Sequence, residues 1–167
     1  VTLRDVVDQV GPDVTRFVML TRKNDAMLDF DFDKVLEQSR ENPVFYVQYA
    51  HARVASILRK AEEAGIEVAD ATLLEADLTK LDHEAEIGLL RKIAEWPRLV
   101  ETAARSNEPH RVAFYLYELA SDFHSLYHLG RSEEGLRALQ EGDPATSQAK
   151  IALSRAVAIV IAAGLGI

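Results

Sequence analysis

Asn42 followed by Pro43 opens the stretch that most constrains how this chain can fold. Asn accepts hydrogen bonds from the free N–H groups of a helix start, and proline fits the first helical position, where its missing donor costs nothing. Beyond it Val47, Ala50, Val54, Ile57 and Leu58 recur at three- and four-residue steps, so the stretch through Lys60 reads as a helix with one buried face. The other flank carries Tyr46 or Tyr49, with Gln48, His51 and Arg53. A helix offering a core face and a polar-aromatic face suits an unstacked nucleotide, because bases stack on rings and phosphates pair with arginine.

The rest of the chain repeats this grammar. Thr2 and Asp5 have the spacing of a capping box ahead of an apolar stripe, Leu3, Val6, Val7 and Val10. Gly11-Pro12 ends that helix and begins another with Val14, Phe17, Val18 and Leu20 inside, which turns Thr15 and Arg16 outward. Arg22 to Asp25 is a polar turn, and Asp29 to Asp33 alternates acid and aromatic, too short to found a sheet. We expect a connector with Phe30 and Phe32 as plugs, and Asp33 capping a helix through Ser39. The helix from Asn42 runs to about Ala64, stopped by Gly65. An acidic linker, with a helical turn at 71–75, leads to helical spacing of Ile87, Leu90, Ile93 and Ala94. Trp96-Pro97 breaks or kinks that helix, which Leu99, Val100 and Ala103 continue. A long helix follows from near Pro109 to about Leu129, ended by Gly130, with Val112, Phe114 or Tyr115, Leu119 and Leu126 inside. A short helix is expected around 133–140. Asp143-Pro144 starts the last helix, with Ile151, Ala152, Ala156, Ile159 and Val160 as its face, ending before Gly164. The reading is an all-α bundle, with residues 1–32 as a leading segment and 33–167 as the helical bundle proper, together one compact domain.

The 167 residues suffice for a substantial core, and 48% apolar with 28% charged residues argues against disorder. Cysteine is absent, which excludes disulfides and thiolate metal sites and suits a reducing, cytoplasmic setting. The apolar run from Ala156 to Ile167 is too short to span a bilayer and no secretory signal opens the chain, so no membrane partner is expected. A net charge of −8 gives no global pull on a polyanion, so any nucleic-acid contact must come from a local patch.

Candidate chemistry is sparse. His124 and His128 lie four apart on one helical face, but the Glu of a zincin motif is lacking and spacing places no third ligand, so no metal is expected. No phosphate loop or nucleophile elbow occurs. Phe123 and Tyr127, also four apart, form a second aromatic patch. The residues themselves leave both tyrosine sets open between packing and ligand contact.

Asn42-Pro43-Val44-Phe45-Tyr46-Val47-Gln48-Tyr49-Ala50-His51-Ala52-Arg53 closely resembles the stretch that opens the anticodon-binding (DALR) domain of bacterial arginyl-tRNA synthetases. Val1 to Val7, Gly11-Pro12-Asp13, Arg16-Phe17 and Leu28 to Asp31 resemble the segments leading into that domain. Glu118-Leu119-Ala120 through Tyr127, and Ile151 through Ile167, resemble its later helices. The chain departs from the family at Val14, Thr15 and His128. The resemblance implies the all-α anticodon-binding bundle of a class I aminoacyl-tRNA synthetase, whose full-length form attaches arginine to tRNA(Arg) with ATP and Mg²⁺ on a catalytic domain outside this stretch. It implies no catalytic residue or cofactor within these residues, tRNA(Arg) as partner, and a monomer. Tyr49, Tyr46, Phe123 and Tyr127 would meet flipped-out bases. Gln48 and His51 would lie beside them, with Gln48 reading base edges, while Arg53, Arg131 and Arg155 neutralise phosphates. The competing reading is an all-α protein–protein interaction domain without an RNA role.

Overall fold

The computed structural model describes residues 2–23, 30–37, 39 and 41–167. Among these are nine α-helices and two 3₁₀ turns: α1 Leu3–Val10, α2 Pro12–Leu20, α3 Phe32–Leu36, α4 Pro43–Glu63, α5 Asp70–Leu74, α6 Glu84–Ala94, α7 Trp96–Ser106, α8 His110–Ser132 and α9 Pro144–Gly166, with turns at Leu78–Lys80 and Glu134–Leu136. No strand occurs among the described residues.

Local chemistry sets the helix starts. The Thr2–Asp5 capping box forms in both directions. Asn42 Oδ1 accepts from the backbone N–H groups of Val44 and Phe45, and its amide donates to the carbonyls of Val35 and Glu37. Asn42 thus caps α4 and ties it to the end of α3. Asp143 caps α9 by accepting from Thr146 N. At α3 the cap is Asp31, whose Oδ1 accepts from Asp33 N, so the helix begins two residues before the expected start. Thr15 is buried rather than outward, because its hydroxyl donates to the Gly11 carbonyl at 2.7 Å and loses its need for water. Residues 24–29, on which the polar turn and the start of the connector fall, lie outside the described residues; Phe30 packs against the core.

Helices α4, α8 and α9 form the centre, with α6 and α7 against α8, α5 against α9, and α2 against α4 and α8. Val47, Ala50 and Val54 of α4, Leu119 and Ala120 of α8, and Ile151, Val157 and Ile161 of α9 are fully enclosed. Helix α9 is apolar nearly all round, and by length and composition alone it could cross a membrane. Its neighbours on several sides account for that composition. An all-round apolar helix has no unique stripe, which is why Ile159, expected inside, stands exposed.

Two glycines expected as helix stops lie within helices. A Cβ on Gly130 would approach the Leu136 carbonyl oxygen to 3.0 Å, and one on Gly164 would meet Leu116 Cδ2 at 2.6 Å. Here glycine permits close approach rather than a left-handed stop. At Gly130 this lets the 133–140 segment fold back on α8. That segment is one 3₁₀ turn instead of a helix, held by Arg137 Nε to the Gly130 carbonyl and by Gln140 Nε2 to the carbonyls of Glu134 and Arg137.

Candidate functional site

Tyr49 and Arg53 stand one turn apart on α4, and His124 and Tyr127 face them from α8. The Arg53 guanidinium carbon lies 4.6 Å from the Tyr49 ring centroid and 4.2 Å from that of Tyr127. One guanidinium nitrogen donates to Tyr49 Oη at 3.1 Å, and another to His124 Nδ1 at 2.7 Å. The Tyr49 ring is stacked with Phe45 on its own helix and with His124, at centroid distances of 5.7 and 5.5 Å. Tyr49 remains 44% exposed and Tyr127 36%. The result is an open wall of two rings with a planar cation fixed against both.

His124 holds the cation in place. It is only 2% exposed, and since guanidinium can only donate, its Nδ1 is the acceptor and its Nε2 carries the proton, which it donates to the Tyr46 carbonyl at 3.1 Å. Burial pushes the imidazole below its usual 6.5; the Tyr46 carbonyl opposes this, while the charges of Arg53 and His128 add to it. A proton added at Nδ1 would face Arg53 directly. Because the folded-state value lies below the unfolded one, this stabilisation is full above pH 6.5 and is lost as pH falls through 6.5 toward the folded value. Thermal melts from pH 7.5 to 5.5 should show falling stability, and His124→Asn should flatten the fall. An equally steep fall in that variant would contradict the assignment.

The structure sorts the other expected residues. Tyr46 is half-buried behind the wall, its ring 5.2 Å from Tyr117 and 4.5 Å from His124. Gln48 and His51 are exposed, but helical geometry turns them about 100° and about 160° from Tyr49. Gln48 is also about 140° from Arg53, so it lies outside the wall, and His51 points away from it. Phe123, expected beside Tyr127, is 2% exposed and belongs to the core, so the expected second patch reduces to Tyr127. Arg131 is exposed at the end of α8. Arg155, expected to meet phosphates, instead makes a two-pronged pair with Asp70 at 2.8 and 3.1 Å. That pair ties α9 to α5, away from the wall, and holds the Asp70 carboxyl below its ordinary range. No group of three or more metal-ligating side chains occurs among the described residues.

Sequence reasoning missed His124 as the anchor of Arg53. It also missed a cavity of about 420 Å³ beyond Tyr127, lined by Ile57, Lys60, Phe123, Arg131, Leu136 and Leu153. Glu86 and Lys150 also line it as an ion pair; the one signal for them was a lysine directly before the apolar Ile151 to Leu153 of α9.

Fold and surface define an all-α domain that exposes an aromatic–guanidinium wall. The chain belongs to the DALR anticodon binding domain family, whose sequence profile matches residues 47–167. It is 74% identical over its whole length to the arginine–tRNA ligase of Ruegeria pomeroyi and 75% identical to that of Cereibacter sphaeroides strain KD131. The chain spans 29% of the length of these curated relatives. Among solved structures it is similar to an arginyl-tRNA synthetase assignment from Campylobacter jejuni, with TM-score 0.80 and 28% identity over 97% of this chain and 33% of that one. It also resembles Thermus thermophilus arginyl-tRNA synthetase, with TM-score 0.69 and 26% identity over 97% of this chain and 26% of that one.

Proposed function

We propose that this chain holds the anticodon loop of tRNA(Arg) for an arginine–tRNA ligase. The observation that carries this reading is Arg53, fixed by His124 against two half-open tyrosine rings. Unpaired bases stack on Tyr49 and Tyr127, each stack worth about 1–3 kcal/mol. In this reading Gln48, next to Tyr49 in sequence, meets base edges, and Arg131 meets backbone phosphate. Arg155 is committed to Asp70 and takes no part. Activation of arginine with ATP and Mg²⁺ belongs to the remainder of such a ligase, a cytoplasmic enzyme. The patch is local, which reconciles phosphate contact with a net charge of −8.

Titrating labelled tRNA(Arg) and a noncognate tRNA into the protein at about 50 and about 200 mM salt tests this. The reading expects binding selective for tRNA(Arg) that weakens with salt. Absent binding, or equal binding of both RNAs, contradicts it and leaves the wall as a surface for a protein partner.

A further inference from the structure

Tyr127 closes one side of the aromatic wall and also lines the 420 Å³ cavity, so a strand leaving the wall meets the cavity next. Ile57, Phe123, Leu136 and Leu153 make apolar sides, and Lys60 and Arg131 line it with no ion pair among the described residues. Arg137, paired with Glu134, and Ser154 also line it, so apolar sides alternate with charged and hydroxyl groups around a space of small-molecule size.

Inside lie Glu86, 1% exposed, and Lys150, 6% exposed, joined as an ion pair. Both ends have spare capacity. An ammonium has three donors; among the described residues Lys150 Nζ spends one, on Glu86 Oε1, which leaves two. Glu86 Oε2 accepts from the His83 backbone N–H, and each carboxylate oxygen keeps a second lone pair. Both side chains line the cavity, so the remaining ammonium donors can be given to an acceptor that enters it.

Resting on the function proposed above, we propose that this cavity takes one flipped-out base of the same RNA loop. The base lies between the apolar walls, presents a ring-nitrogen or carbonyl acceptor to Lys150 Nζ and an N–H to Glu86, and has its phosphate near Lys60 and Arg131. The pair is then a specificity element: a base lacking that acceptor forgoes the hydrogen bond from Lys150.

The test uses an anticodon stem-loop RNA with each loop position made abasic in turn. Two variants of the protein accompany wild type. Glu86→Gln with Lys150→Met removes both charges together, keeps a side-chain acceptor for His83, and leaves no orphaned ion. Ala138→Trp enlarges a residue that lines the cavity without touching the pair. Wild type should lose affinity at least about tenfold at one abasic position beyond those that the Tyr49→Ala variant silences. That position should become indifferent in both cavity variants. If the RNA binds, and Tyr49→Ala weakens it while the cavity variants keep the wild-type abasic profile, the cavity assignment is overturned and the wall stands. If the RNA does not bind wild type at all, both are overturned.

Discussion

Lys150→Met is expected to lower the unfolding free energy by about 3–5 kcal/mol, the cost of leaving a buried carboxylate without its counter-ion. Glu86 sits at the third position of α6, where its other oxygen caps the His83 backbone N–H. It therefore cannot swing out to water without uncapping the helix. In a domain of this size that loss corresponds to roughly 6–20 °C in Tm. The double variant Glu86→Gln, Lys150→Met should recover most of it, because glutamine still caps and no charge is buried. Chemical denaturation of the two variants measures this, and double and single variants of equal stability would show that the pair is not coupled.

Arg53→Ala carries the second large effect, and it spans stability and binding. Two cation–π contacts of about 0.5–1 kcal/mol each disappear. The buried His124 Nδ1 loses its donor, worth about 1–3 kcal/mol. Together the loss is on the order of 2–5 kcal/mol in unfolding free energy. RNA affinity should fall at least about tenfold, since the rings lose the cation that sets them as well as its charge. Arg53→Lys should rescue neither fully, because an ammonium cannot lie flat against two rings while donating to His124 and to Tyr49 Oη. Wild-type affinity in the lysine variant would show that charge alone matters.

The contrast between what the sequence made legible and what it hid follows the range of each interaction. Asn42, Asp143, the Thr2–Asp5 box and Gly11-Pro12 were readable because a cap is made within three residues of itself. Gly130 and Gly164 misled, since a glycine needed for close approach looks in sequence like one needed for a turn. Phe123 and Tyr127 share one helical face, and which is sealed depends on what lies across α8 rather than on α8 itself. Arg155 looked free because its partner Asp70 is 85 residues away, and Lys150 and Glu86 are separated by 64. Tyr49 and Arg53 were legible as members of one polar-aromatic flank of their helix, but the imidazole that fixes Arg53 comes from the other helix.

The most direct measurement is a set of intermolecular NOEs between ring protons of Tyr49 and Tyr127 and base protons of a bound tRNA(Arg) anticodon loop. The account predicts contacts from both rings to loop bases, lost together in Arg53→Ala. Bound RNA whose contacts map elsewhere, with both rings unperturbed, would contradict it.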